Sequence, residues 1–343
     1  MSGSTVGAVG EFGLIDLIQR ALPASVRTHP TLRIGIGDDT AVWQPSPGEQ
    51  VLITTDALVE GIHFDRAWQD WESLGWKSLA VNISDIAAMG GRPALATITL
   101  GLQAECLVDD ILAFYRGAAR LAVASGLLIA GGDIVRSPNR LSIGVPVLGE
   151  TRQGRVLTRS GAQPGDLVAV SGALGAAAAG LRLLQLPADA PRRRSATAPA
   201  LIDALLEPQP RVALGELLLS AGATGAMDLS DGLLGDLPKI LAASAVSAEL
   251  RVSDLPVAAA VRTLFPDEWQ ALALRGGEDY ELLFTIAADA LPGLQEEATR
   301  IGQAITVIGE VMPTQVDVST LTLVDQSGSS FEPDAGAFDH FRG

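Results

Sequence analysis

Six short acidic motifs punctuate this chain, and most close an apolar run or sit beside a glycine turn. They are GDDT (Asp38, Asp39), TTD (Asp56), NISD (Asp85), GGD (Asp133), MDLSD (Asp228, Asp231) and GGED (Glu278, Asp279). Runs rich in Val, Ile and Thr that stop at a carboxylate, set between segments of helical spacing, constrain the chain to an α/β (α+β) fold. VLITTD is expected to be a strand ending in its carboxylate, and LLIAGGD repeats the pattern. GAMDLSDG places two acids three apart at a strand-to-helix turn. Open α/β sheets bind ligands at such strand ends.

Gathered carboxylates repel and raise one another's pKa, so they gather where a cation is bound. Oxygen-only ligands favour a hard ion such as magnesium. Three His and one Cys leave little for a zinc site. No G-x-x-x-x-G-K-[ST] loop is present, so a nucleotide here is not held by a P-loop. Magnesium-assisted phosphate chemistry is therefore the first reading. The competing reading is local: Asp and Asn beside Gly cap helices and close turns in many folds.

At 343 residues, the chain suits two domains, expected at 1–152 and 153–343. A net charge of −16 lacks the basic face that nucleic-acid binding requires, yet is compatible with a phosphate substrate if cations invert the local field. Cys106 is the sole cysteine, which excludes an intrachain disulfide and fits a reducing, cytoplasmic setting. The first twenty residues lack a basic segment followed by an apolar core, so no secretory signal is expected. Residues 167–186 are nearly long enough for a bilayer, but Gly172, Gly175 and Arg182 interrupt them. They read as a strand, a glycine turn and a buried Ala-rich helix, with no membrane partner.

The spacing predicts a helix over FGLIDLIQRAL and strands in RIGIGDDTAVW and VLITTDALV. A longer helix follows in LGWKSLAVNISDIAAMG, with Ser73 as N-cap and Asn82 and Asp85 on one face. ALATITLGL, LLIAGGD and LSIGVPVLGE read as strands, with a helix in ILAFYRGAARLAVASG closed by Gly126. Past the turn-rich TRSGAQPGD, the segment PADAPRRRSATAPA (187–200) is expected to be a mobile surface loop. GGEDYELLFTI reads as a turn feeding a strand, and ITVIGEVM as the last strand.

In order, GEFGLI, IGDDTAV, TTDALVEGIHF, KSLAVNISDIAAMGG, GGDIVRS, LTRSGAQPGD, MDLSDGL, GGEDYELLF and FDHF resemble the thiamine-monophosphate kinases, from Gly10 to Phe341. These kinases belong to the superfamily of aminoimidazole ribonucleotide synthetase. The resemblance implies a two-domain fold whose N-terminal domains meet as a sheet or barrel in a homodimer, with a C-terminal α/β domain. It implies phosphoryl transfer from ATP to thiamine monophosphate, giving ADP and thiamine diphosphate, with several Mg2+ and with K+ as a further candidate ion. Two other classes stay open: a related enzyme that uses ATP to activate an amide or carbonyl oxygen, and a non-catalytic nucleotide-binding protein.

Carried over by the same resemblance, Asp39, Thr54, Thr55, Asp56, Asp85, Asp133, Asp228 and Asp231 would ligate metal. Gly132, Asp133, Arg159 and Ser230 would meet ATP. Tyr115 is a further nucleotide candidate, with packing on a helix face as its alternative. His63, Glu278 and Phe338 would bind the acceptor, Phe338 by stacking on the thiamine ring. No residue reads as a covalent phosphoryl carrier.

Overall fold

The computed structural model describes residues 3–314 and 319–330. The chain divides into two compact units, one running up to Ile86 and resuming over Gly91–Gly154, the other comprising Ala87–Gly90 and the residues from Arg155 onward.

The first unit begins with helices α1 (Val6–Val9), α2 (Glu11–Ala21) and α3 (Ala24–Arg27), then a small ladder of β1 (Leu32–Ile34) and β2 (Val42–Trp43). Strand β3 (Glu49–Val59), helix α4 (Trp71–Ala88), strand β4 (Arg92–Leu102), helix α5 (Val108–Ser125), strand β5 (Leu128–Arg136) and strand β6 (Ser142–Arg152) follow. The four long strands form one sheet in the order β3-β6-β4-β5, in which only β4 and β5 are parallel, joined by α5. Helix α4 starts two residues ahead of the expected cap: Asp70 Oδ1 accepts from the Ser73 amide at 2.8 Å, so Asp70 holds the capping role assigned to Ser73. Gly126 closes α5 in the left-handed conformation, at φ 69°.

Asp56 and Asp133 do not end their strands. β3 pairs with β6 from Glu49↔Arg152 to Val59↔Ser142 without a register shift, and Asp56 lies inside that ladder. β5 likewise continues three residues past Asp133. Both side chains are exposed, so a carboxylate in mid-strand goes without a desolvation cost and need not terminate pairing. α4 and α5 meet backbone to backbone at two glycines: a Cβ on Gly75 would stand 1.8 Å from the Phe114 carbonyl oxygen, and one on Gly117 1.7 Å from that of Glu72.

The second unit holds β7 (Leu167–Ser171), α6 (Ala176–Gln185), α7 (Ala198–Leu206), α8 (Val212–Ala221), β8 (Gly225–Asp228), α9 (Leu233–Ser244) and β9 (Ser247–Arg251). It continues through α10 (Ala259–Leu264), α11 (Trp269–Arg275), β10 (Leu282–Ile286), α12 (Leu291–Arg300), β11 (Ile305–Met312) and β12 (Leu321–Val324). Thus ITVIGEVM is not the last strand; β12 adds in parallel to β9. The sheet order is β12-β9-β11-β7-β10-β8. Its central strands are buried on both faces: Val168, Val170 and Leu283 pack with α9, whereas Ala169, Leu282 and Phe284 pack with α8 and α12. That double burial explains why β7 and β10 read as continuous apolar runs. The glycine turn 172–175 and the Ala-rich α6 lie where the sequence sets them.

Segment 187–200 is folded back as turns leading into α7, where a mobile loop is expected from composition. Arg193 donates to the carbonyls of Leu184 (3.1 Å) and Leu186 (2.7 Å), neutralising the end of α6, and Arg192 pairs with Glu268 at 3.4 Å.

Candidate functional site

In the first unit, β3 and α4 build one shared polar face. Residues alternate sides along a strand, so Thr54 and Asp56 point together and Thr55 points away. Thr54 Oγ1 donates to Asp85 Oδ2 at 2.5 Å, and the Asp56 amide donates to Asn82 Oδ1 at 2.7 Å. Asn82 is fully buried and donates in turn to the Ser78 carbonyl at 3.1 Å. The helical spacing of Asn82 and Asp85 thereby lays one amide and one carboxylate against the strand. Asn82 orients the backbone of Asp56 and was identifiable from NISD only as a face-mate of Asp85.

The donors on this face are two carboxylates and a hydroxyl, all oxygen. They fit a hard divalent ion that keeps several waters and takes its remaining ligands from phosphate. The other expected ligands of this unit lie apart. Asp39 is exposed in the turn between β1 and β2, where its amide bonds Asp38 Oδ1 at 2.8 Å. Asp133 is on β5, at the opposite edge of the sheet from β3, with β6 and β4 between. Thr55 shares the outer face of β3 with Val51 and with Ile53, which is 74% exposed. Among the described residues, no group of three or more His, Cys, Asp and Glu side chains is close enough to hold a metal ion.

Gly132 is demanded by its own sheet. A Cβ there would lie 1.9 Å from the Ile98 carbonyl oxygen, beside the register shift of the β4–β5 pair. Tyr115 is 5% exposed, edge-on to Phe114 with ring centroids 5.6 Å apart, and burial pushes its hydroxyl pKa far up. Of the two roles open to it, the structure supports packing. His63 closes a tight turn after β3: its Nδ1 accepts from the Val59 amide at 3.0 Å, which puts the neutral ring's proton on Nε2.

In the second unit, the MDLSD and GGED segments run side by side. The Glu278 amide donates to the Ser230 carbonyl (2.8 Å), the Tyr280 amide to Leu229 (2.9 Å), and the Leu229 amide to Glu281 (2.8 Å). Asp228 stands opposite Leu282 where β8 ends and β10 begins. Asp228, Ser230, Asp231 and Glu278 are therefore brought to one end of the antiparallel β8–β10 pair. Arg159 lies exposed beside Gly225, at the other end of β8. Phe338 lies outside the described residues.

Asp231 has a counter-ion that the sequence reading did not single out. Lys239 Nζ lies 2.7 Å from Asp231 Oδ2 and 2.8 Å from Asp236 Oδ1, while the Asp231 amide donates to Asp236 Oδ2 at 3.0 Å. Burial pushes the Asp236 carboxyl up, against the pull of Lys239. Burial lowers Lys239, but its bonds to the two aspartates outweigh this and leave the ammonium above its ordinary value. A cation held by Asp231 must share it with this ammonium. The signal was the Asp236/Lys239 spacing of three on α9.

The GGED turn is held from both flanks. Glu278 (φ 68°) and Tyr280 (φ 49°) both occupy left-handed backbone, at a cost of about 1–3 kcal/mol each for non-glycine residues. Between them, Asp279 accepts from the amides of Gly175 (2.7 Å) and Ala177 (3.2 Å), so it caps α6 from a distant part of the chain. That carboxylate occupies the anion-favouring end of α6, behind the glycine turn. Burial pushes the Asp279 carboxyl up to about 7, Glu281 adds to the rise, and the α6 amides oppose it. Glu281, 5% exposed, meets Arg211 through two bonds, Nε–Oε2 at 2.7 Å and Nη2–Oε1 at 2.5 Å, and accepts from the Ser171 hydroxyl at 2.5 Å.

Residues 37–151 match the N-terminal domain of AIR synthase related proteins, and 163–321 the C-terminal domain. The thiamine-monophosphate kinase of Bacillus subtilis (strain 168) is 36% identical over 327 residues, 95% of this chain and 99% of that protein. The crystal structure of thiamine-monophosphate kinase from Stenotrophomonas maltophilia K279a is similar with a TM-score of 0.80 at 41% identity, covering 90% of this chain and 95% of that one. A structure of AaThiL complexed with AMPPCP and TMP is similar with a TM-score of 0.75 at 34% identity, covering 97% of both chains.

Proposed function

The chain belongs to the thiamine-monophosphate kinase family, and from that premise we propose that it transfers the γ-phosphoryl group of ATP to thiamine monophosphate. The products are ADP and thiamine diphosphate, so the reaction completes thiamine diphosphate synthesis. The observation that carries this reading is the likeness along 97% of the chain to a protein solved with AMPPCP and TMP together.

The chain's residues divide the work. Thr54, Asp56 and Asp85 would hold magnesium, with Asp39, Asp133, Asp228 and Asp231 as further ligands and Thr55 through its backbone oxygen. When bound, magnesium would supply charge neutralisation and alignment for the two phosphates. Ser230, Arg159 and the Gly132–Asp133 segment serve the nucleotide. Glu278, His63 through Nε2, and Phe338 serve the acceptor. The 2.8 Å bond between Glu278 and Ser230 supports this division, because it ties an acceptor residue to a nucleotide residue through the backbone. A phosphate oxygen of thiamine monophosphate attacks the γ-phosphorus directly as ADP leaves, with no phosphoenzyme.

The chain acts as a cytoplasmic homodimer in this reading. The outward apolar face of β3, with Val51 39% and Ile53 74% exposed, supports the second copy. No helix among the described residues is long and apolar enough to cross a membrane. The test is ADP release with thiamine monophosphate against a panel of other phosphate, amide and carbonyl acceptors, with thiamine diphosphate identified as product. Equal turnover of an amide acceptor would point to another AIR synthase related activity, and no turnover with any acceptor to a binding protein.

A further inference from the structure

We propose that Asp279, together with the Arg211–Glu281 pair, is a positioning residue that sets Glu278 for the acceptor. The inference rests on the reading above, in which Glu278 meets thiamine monophosphate.

Two non-glycine residues in left-handed backbone, separated by one residue, do not persist in an unanchored turn. The residue between them supplies one anchor. Asp279 reaches the amides of Gly175 and Ala177 across more than a hundred positions of sequence. Glu281 supplies the other: Arg211, just ahead of α8, grips both its carboxylate oxygens, and Ser171 at the end of β7 holds one of them. Ser171 Oγ also accepts from the Leu282 amide at 2.8 Å, which ties this anchor to the first residue of β10. The space is tight as well: a Cβ on Gly172 would lie 2.0 Å from Glu281 Oε1. The turn is thus fixed between Glu278 and Tyr280 by the start of α6, and just after Tyr280 by Arg211 ahead of α8 and Ser171 at the end of β7. Glu278 is held in a strained conformation by groups that need not touch the substrate.

The experiment uses the full-length protein and four variants: Glu278→Gln, Asp279→Asn, the double variant and Arg211→Lys. KM for thiamine monophosphate and for ATP is measured for each, with circular dichroism and thermal melts to establish folding. Asp279→Asn is expected to raise KM for thiamine monophosphate at least tenfold and to leave KM for ATP within about threefold. In the Glu278→Gln background the same substitution is expected to add less than about twofold, because the residue it positions is gone. Arg211→Lys keeps the charge but loses the two-pronged grip, and should show the same selective rise. It decides the matter if Asp279→Asn does not fold. Equal effects on both substrates, or a double variant equal to the product of the singles, would overturn the positioning role while leaving Glu278 as an acceptor residue. A Glu278→Gln variant with wild-type KM would instead refute the acceptor reading of Glu278, and the inference with it.

Discussion

Replacing Arg211 with methionine is expected to destabilise the second unit by about 3–5 kcal/mol, the usual loss when one partner of a buried ion pair is removed. Glu281 is 5% exposed, and once the guanidinium is gone only the Ser171 hydroxyl is shown to bond its carboxylate. The cost is that of a charge left buried, not of one hydrogen bond at about 1 kcal/mol. Glu281→Gln should cost less, about 1–3 kcal/mol, because the Arg211 side chain is 23% exposed and recovers part of its hydration. The double variant Arg211→Met, Glu281→Gln should then be more stable than the two losses combined, since it leaves no uncompensated charge. In a unit of this size, 3–5 kcal/mol lowers Tm by about 6–20 °C. Urea unfolding followed by circular dichroism and fluorescence, with thermal melts in parallel, gives all three values. A loss under about 1 kcal/mol for Arg211→Met, or strict additivity in the double variant, would refute the argument.

Asp56→Asn and Asp85→Asn should each abolish turnover and weaken Mn2+ binding measured by electron paramagnetic resonance, with circular dichroism unchanged. Turnover within a few-fold of the parent would remove both from the metal set. Asp279 bears on pH: its carboxyl is raised to about 7 in the fold from an unfolded value near 4, so the folded chain binds the extra proton between those values. Its stabilising contribution is full below about pH 4 and is lost as pH rises through 7. The Tm difference between parent and Asp279→Asn should therefore shrink from pH 5 to pH 8, and a growing difference would reverse the assignment. Direct transfer predicts inversion at the γ-phosphorus of isotopically chiral ATP; retention would demand a phosphoenzyme.

What the sequence could disclose depended on how local each signal was. α5 ends at Gly126 because one residue in left-handed backbone is enough, and the Asn82/Asp85 face follows from the helical period alone. The strand period likewise puts Thr54 and Asp56 together, but neither period states that this face meets α4, across 31 positions for Thr54–Asp85 and 26 for Asp56–Asn82. Arg211 and Glu281 are seventy positions apart, and nothing near either one names the other. The trans cap of α6 by Asp279 is equally silent, since a cap is sought on the residues just before a helix. Asp70 displaced Ser73 as a cap because both are good cap residues within one turn, and propensity does not choose between them. Gly132 was assigned to nucleotide approach, yet the carbonyl of Ile98 already demands a glycine there. The arginines of 187–200 suggested a solvated loop, although two of them bind the end of α6 and Glu268.

The glycine contacts between α4 and α5 have a mechanical consequence. Where side chains separate two helices, rotamer changes can take up small displacements; at Gly75 and Gly117 one backbone rests on the other and no rotatable bond intervenes. Slippage of α5 along this contact would reach α4 undamped, and with it Asn82 and Asp85, which share that rigid rod. A methyl group added at either glycine, although remote from both residues, would shift their oxygens as a set. The accuracy of the polar face on β3 is thus stored in two hydrogen atoms, one on Gly75 two turns along α4 from Asn82 and one on the neighbouring α5.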